Sequence, residues 1–267
     1  MITSSCKLTP LQALNRSIGP DIPILMQDSH HTPPVQGCIA AILPAAGSGQ
    51  RFGADQNKLF AKLAGKPLWF HAASRLAARS EIGQIVMPIS ESDRSAFEGE
   101  FASLVEQLNI QLVTGGAART DSVKAGLDAI AGDPAIQYVA IHDAARPLVS
   151  DGDLSAVFAV ALKTGAAILA TPVSATIKRD LGQTQRSETV DRRELWIALT
   201  PQVFRVGLLN EAYQKHNGRP ATDDAQLVER IGHDVSLVRG SADNLKITYP
   251  EDLLVAEAIL ARQTNHA

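Results

Sequence analysis

Cysteine is scarce in this chain. The 267 residues carry two, Cys6 and Cys38, at no spacing that suits a metal and too few to staple a small secreted scaffold. Unpaired thiols of this kind fit a reducing cytoplasm, which is the expected location. Long apolar runs are missing as well. No stretch could span a bilayer, and the first 36 residues lack the apolar core of a signal peptide, while their Lys7, Arg16, Asp21 and Asp28 cancel in charge. Excess charge is also absent. A net charge of -3 argues against a broad nucleic-acid or membrane surface, so any phosphate binding must come from a few local cations.

What remains is a globular composition, 45% hydrophobic and 20% charged, with enough chain for one large α/β domain or two small ones. Residues 1–36 are punctuated by Pro10, Pro20, Pro23, Pro33 and Pro34 and read as a disordered or loosely docked extension. Met26 offers an alternative start there, and His30-His31 reads as a solvated pair. The domain proper is expected over 37–267.

That domain opens on a short apolar run, Ile39 to Leu43, which reads as a buried strand. It breaks at Pro44 into Ala45-Ala46-Gly47-Ser48-Gly49-Gln50-Arg51, with Lys58 further on. Glycines let backbone N–H groups approach an anion, and the two cations add full charge. Two common phosphate loops do not apply. The dinucleotide fingerprint needs a third glycine where Phe52 stands, and the P-loop's Gly-Lys-Ser/Thr triplet occurs nowhere. A lone Gly-x-Gly is more simply an ordinary turn, so a phosphate site here depends on Arg51, Lys58 and the downstream motifs.

Strand and helix patterns then alternate. Apolar strands are expected at 84–89, 110–113, 138–142 and 166–170, and helices at 67–79, 97–108, 122–130 and 153–163, the last stopped by Gly165. Such alternation predicts one mostly parallel sheet with helices on both faces. Its ligands bind beyond the carboxyl ends of the strands, where the Gly47 loop, Gly115-Gly116 and Asp143 should share a crevice. From Pro172 to about Gln202 the helical period disappears, and this stretch is expected to leave the sheet as a protruding β-hairpin arm. An arm that cannot bury itself alone is most economically buried against a second subunit. Helices resume at 206–216 and 223–230, with a strand at 235–238 and a terminal helix from Pro250 completing the chain.

Asp143, directly after a buried strand and facing a phosphate loop, is placed to hold Mg²⁺ or a ribose hydroxyl, although a helix cap explains it as readily. Gly115-Gly116 and Ser122 suit close approach to a flat base, or equally a turn with its cap. Lys246 interrupts the apolar pair Leu245 and Ile247 in an extended segment, which favours a crevice-facing side chain. Thr176, Lys178 and Arg192 lie on the arm as spare hydroxyl and cation groups for a second phosphate.

Taken in order, Pro44-Ala45-Ala46-Gly47-x-Gly49-x-Arg51, Lys58, His142-Asp143-Ala144-Ala145-Arg146-Pro147, Thr189-Val190-Asp191-Arg192, Leu199-Thr200-Pro201-Gln202 and Asp243-Asn244-Leu245-Lys246-Ile247-Thr248 closely resemble the 2-C-methyl-D-erythritol 4-phosphate cytidylyltransferases. These are the CTP-using enzymes of the non-mevalonate isoprenoid pathway, within the nucleotidyltransferase superfamily. The resemblance runs from about Cys38 to the terminal helix. It implies a Rossmann-like domain with the arm at about 172–202 clasping its twin in a homodimer, and a divalent cation, Mg²⁺, as cofactor. Pro44, Ala45, Ala46, Gly47, Gly49, Gly115, Gly116, Ser122, Asp143 and Ala144 would surround the nucleotide. Arg51, Lys58 and Lys246 would be catalytic, holding the triphosphate, with Asp143 serving the metal. Thr176 and Arg192 would bind the polyol phosphate from the partner's arm, near Arg146, Lys178 and Thr248.

The chain departs from the family pattern in two places. Asn57-Lys58-Leu59-Phe60 replaces the usual Pro-Lys-Gln-aromatic, and Ala117 stands where many members carry an acid. Three other readings stay open on sequence alone: a cytidylyltransferase for another polyol phosphate such as ribitol 5-phosphate, an NADP-dependent reductase suggested by the glycine loop and Glu91, and a non-catalytic nucleotide-binding subunit.

Overall fold

The computed structural model describes residues 36–47, 52, 57–182 and 186–264. Residues 1–35, with Cys6 and His30-His31, and the loop positions Gly49 and Arg51 fall outside them. Strand β1 (Ile39–Ile42) is buried along its whole length. Ile39 and Ala41 join the core on one face of the sheet, and Ala40 and Ile42 the core on the other. A strand covered on both faces has no use for polar residues, which is why the run is uniformly apolar.

A single 3₁₀ turn, Lys58–Phe60, leads into the small hairpin β2 (Lys62–Leu63) and β3 (Lys66–Pro67), and then α1 (Leu68–Ala77). Next come β4 (Ile82–Ile89), α2 (Arg94–Glu98), α3 (Ala102–Gln107), β5 (Ile110–Thr114), α4 (Arg119–Ala129), β6 (Tyr138–Ile141), α5 (Asp151–Thr164) and β7 (Ala166–Pro172). Gly165 closes α5 in the left-handed region at φ 91°, its N–H on the Ala161 carbonyl at 2.8 Å. The chain continues through β8 (Ile177–Asp180), β9 (Ser187–Val190), β10 (Trp196–Arg205), α6 (Val206–Gln214), α7 (Asp224–Arg230), β11 (Ser236–Arg239) and α8 (Asp252–Thr264).

The main sheet has the order β11-β7-β10-β6-β1-β4-β5, and β10 alone runs antiparallel to its neighbours. Trp69, Phe97, Leu154 and Phe158 cover one face from α1, α2 and α5. Val123, Leu127, Leu209 and Val228 cover the other from α4, α6 and α7. A smaller cluster of Leu63, Leu68, Leu148, Ile247 and Ala256 seats α8. The mostly parallel sheet, the helices on both faces and the β8–β9 hairpin arm are as the sequence predicts.

Two elements differ. The expected helix over 97–108 is broken in two, because Gly99 leaves the helical region (φ -110°, ψ -92°). The second difference is β10. Its outer end, Trp196–Ala198, pairs with β7 at the base of the arm, but Thr200–Phe204 is buried in the centre of the sheet. Pro201 and the polar Thr200 and Gln202 hide this strand from any pattern search. The register with β7 shifts between Ala198 and Gln202, and the irregularity accommodates a residue with no N–H to donate.

Candidate active site

The loops after β1, β5 and β6 open on one cleft at the carboxyl ends of the parallel strands. Pro44, Ala45, Ala46, Gly47, Lys58, Gly116, Ser122, Asp143, Ala144 and Lys246 all line it. Gly115 stands just behind its wall. A Cβ at Gly115 would come within 2.6 Å of the Ala46 Cβ and 2.9 Å of the Ser122 Oγ, so only glycine allows this approach. Ser122 Oγ accepts the Gly116 N–H at 3.2 Å, and Asp121 accepts the Ala118 N–H at 3.0 Å, which fixes the bend that delivers α4 to the cleft.

Asp143 sits at the floor among three cations. Lys246 Nζ donates to its Oδ2 at 2.7 Å, Arg119 Nε reaches Oδ1 at 3.4 Å, and Arg146 Nε lies 3.7 Å from Oδ2. Burial by itself would raise the pKa of this carboxyl. Arg119, Lys246 and Arg146 outweigh it and hold the group well below the usual carboxylate range. Asp143 is an anion at any physiological pH.

His142, its neighbour, plays a different part. The ring is fully buried, and desolvation pulls its pKa down to about 4. Nε2 faces the Arg146 carbonyl at 3.0 Å, so that nitrogen carries the proton, and Nδ1 accepts from Thr200 Oγ1 at 3.1 Å. The same Thr200 Oγ1 accepts the Asp143 N–H at 3.1 Å. The neutral imidazole therefore braces the loop that presents Asp143.

The Lys246 segment is laid across this loop by backbone and buried polar groups. The Ile247 N–H donates to the Ala145 carbonyl at 2.9 Å, Arg146 Nη1 to the Asn244 carbonyl at 2.6 Å, and Asn244 Nδ2 to the Thr200 carbonyl at 2.7 Å. Leu245 and Ile247 turn into the core while Lys246 turns out to Asp143. The segment joins no strand. Thr248 comes next, its N–H on Asp252 Oδ2 at 2.7 Å and its hydroxyl on the Lys246 carbonyl at 3.2 Å.

Lys58 reaches the same region from the turn before β2, with Nζ 3.1 Å from the Ile247 carbonyl. Asn57 accounts for one departure from the family pattern. Its Oδ1 accepts the Leu59 N–H at 3.0 Å and its Nδ2 donates to Asp93 at 2.8 Å, so the asparagine caps the turn that carries Lys58. Leu59 is buried beneath, and Ala117 is an exposed residue on the cleft rim.

Arg146 is nearly buried and its guanidinium is engaged with protein groups. Thr176, Lys178 and Arg192 are exposed on the arm and do not line the cleft of their own chain. Lys178 donates across the hairpin to Thr189 at 2.7 Å, and Arg192 to the Ser174 carbonyl.

Sequence reasoning passes over Arg119. It lines the cleft and bridges Asp143 to Asp224, whose Oδ2 it meets at 2.7 Å. Arginine inside a small-residue turn is a usable signal, whereas Asp224 looks like one more acid at a helix start. The supporting roles of Thr200 and Asn244 depend on contacts between distant segments that no local pattern carries.

The sequence profile of the family described as "IspD: 2-C-methyl-D-erythritol 4-phosphate cytidylyltransferase" matches residues 39–262. The chain is 55% identical over 231 residues to the 2-C-methyl-D-erythritol 4-phosphate cytidylyltransferase of Rhodopirellula baltica, covering 83% of this chain and 94% of that one. It resembles the crystal structure of 4-diphosphocytidyl-2C-methyl-D-erythritol synthase from Anaerococcus prevotii, with a TM-score of 0.71 at 30% identity, over 84% of this chain and 98% of that one. The Thermus thermophilus 2-C-methyl-D-erythritol 4-phosphate cytidylyltransferase structure matches with a TM-score of 0.67 at 34% identity, over the same two shares.

Proposed function

This chain belongs to the 2-C-methyl-D-erythritol 4-phosphate cytidylyltransferase family and joins CTP to 2-C-methyl-D-erythritol 4-phosphate, giving 4-diphosphocytidyl-2-C-methyl-D-erythritol and pyrophosphate in the non-mevalonate isoprenoid pathway, and we propose that the cleft beyond β1, β5 and β6 is where it does so. One observation carries the proposal. Lys58 and Lys246, from opposite ends of the domain, meet over a small-residue wall beside an ionised Asp143.

The nucleophile is the phosphate monoester of the polyol, which attacks the α-phosphorus of CTP while pyrophosphate leaves. With a second pKa of about 6 that phosphate is already largely dianionic at neutral pH, so no general base is needed. The neutral, enclosed His142 is in keeping with that chemistry. The difficulty is electrostatic, because two polyanions must meet and charge grows on the departing bridge oxygen. Lys58, Lys246 and Arg51 act by positioning the phosphates and offsetting that charge. Pro44, Ala45, Ala46, Gly47, Gly116, Ser122 and Ala144 form the nucleotide wall with Gly115 behind it, and Gly49 is assigned to the nucleotide by the family resemblance.

Among the described residues no group of three or more His, Cys, Asp or Glu comes together. Mg²⁺ is commonly held by one or two carboxylates with the rest of its shell from phosphates and water, so the single carboxylate Asp143 fits it as the protein ligand. A divalent cation there would neutralise phosphate charge, and Lys246 would be released from Asp143 to the phosphates.

The polyol phosphate is assigned to Thr176 and Arg192 from the arm of a second copy, with Arg146, Lys178 and Thr248 close by. Leu195, Trp196 and Ile197 at the base of the arm are exposed, and this apolar patch supports a homodimer that would cover them. The free, buried Cys38 suits a cytoplasmic setting, and no described helix is long and apolar enough to cross a membrane. Arg192→Ala tests the arm assignment. Its Michaelis constant for the polyol phosphate is expected to rise by about 10-fold or more while that for CTP changes little. A larger effect on CTP would remove Arg192 from the polyol site.

A further inference from the structure

Asp224 is a buried carboxylate that does not line the cleft, and none of the roles assigned above uses it. It is fully enclosed at the start of α7. Two groups satisfy its carboxylate and a third braces its backbone. Arg119 Nη1 donates to Oδ2 at 2.7 Å, Tyr213 Oη–H donates to Oδ1 at 2.6 Å, and Gln202 Oε1 fixes the local backbone by accepting the N–H groups of Asp224 and Ala225 at 3.1 and 3.0 Å. Gln202 Nε2 completes the arrangement on Asp223 at 2.8 Å. An anion buried to this degree persists only when it is paired and hydrogen-bonded, and here its ionic partner is a residue of the cleft wall.

Arg119 is thereby shared between two carboxylates, Asp143 at the floor of the cleft and Asp224 behind its wall. Without Asp224, the guanidinium would have Asp143 as its sole carboxylate partner among the described residues. It would draw in on the carboxylate that a nucleotide and its cation need. β10 therefore supports the site by two routes. Thr200 fixes the Asp143 backbone, and Gln202, through Asp224, fixes the arginine that faces the Asp143 side chain.

We propose that Asp224, clamped by Gln202 and Tyr213, is a positioning residue for CTP binding that acts through Arg119. The proposal rests on the nucleotide reading of the cleft. It assigns α6 and α7, which touch no substrate group in that reading, a role in nucleotide affinity.

The test is calorimetric titration of the full chain with CTP and Mg²⁺, alongside thermal unfolding. Asp224→Asn keeps the shape and removes the charge, and is expected to weaken CTP binding about 10-fold, a mid-range coupling for charges in one network. In an Arg119→Gln background the same substitution should cost less than about 2-fold, because its route is already cut. Its thermal cost should shrink in that background too, because Asp224 has already lost its ionic partner there, so thermal unfolding serves as the control for folding. Tyr213→Phe, which leaves the ion pair in place, should weaken CTP about 3-fold and likewise lose that effect beside Arg119→Gln. It serves as the test if Asp224→Asn does not fold. Equal losses in both backgrounds, or none in either, overturn the proposal. If Lys246→Ala still weakens CTP while Asp224→Asn does not, the cleft assignment survives and the proposal fails. If neither does, the cleft assignment fails with it.

Discussion

Lys246→Ala is expected to slow pyrophosphate release by about 10²–10³-fold while the protein stays folded. The size comes from what the ammonium is placed to do. A preorganised donor aimed at charge that grows in the transition state is worth on the order of 3–4 kcal/mol in the barrier. The retention of fold comes from how the segment is held. Asn244, the Ile247 N–H and the buried Ile247 side chain anchor it, and none of these contacts uses the Lys246 side chain. The substitution also removes the 2.7 Å partner of Asp143 Oδ2, but Arg119 and Arg146 still face that carboxylate. Stopped-flow or coupled pyrophosphate assays, with circular dichroism as the control for folding, decide it. Near-wild-type turnover would remove Lys246 from the mechanism.

Lys58→Ala should cost a comparable factor, about 10²–10³-fold, by the same physics. Its position is set independently of Lys246. Asn57 caps the turn, Leu59 is buried beneath it, and Phe60 packs edge-on against Phe97 at a centroid distance of 5.5 Å. Truncating the side chain removes its bond to the Ile247 carbonyl, a link between the two segments proposed to hold the phosphates. The loss should therefore appear in turnover and in CTP affinity together, with little change in the Michaelis constant of the polyol phosphate. Turnover within a few-fold of wild type would mean that the lysine serves only to tie the loops.

The sheet is legible in the sequence because parallel strands covered on both faces are written as uninterrupted apolar runs. Ile39–Ile42 and Tyr138–Ile141 can be read directly, and the loops at their carboxyl ends with them. Lys246 is legible for a related reason, as a charge set between two apolar neighbours in an extended stretch. β10 is not, because a central strand with proline and two polar residues imitates a loop. Its polar residues are there to hold other segments. Thr200 bonds to His142 and the Asp143 backbone, and Gln202 to the start of α7. Arg119 and Asp224 escape a local reading for the same reason, since their meaning lies in a contact between α4 and α7 that folding creates. The stretch over 97–108 misleads because the apolar period continues through Gly99 although the helical backbone does not.

The substrate pair is decided by pyrophosphate release with CTP, UTP, ATP or GTP against a panel that includes 2-C-methyl-D-erythritol 4-phosphate and ribitol 5-phosphate. Rapid release is predicted with CTP and 2-C-methyl-D-erythritol 4-phosphate, and little with any other pair. Comparable rates with a purine triphosphate, or with ribitol 5-phosphate in place of the methylerythritol phosphate, would contradict that prediction.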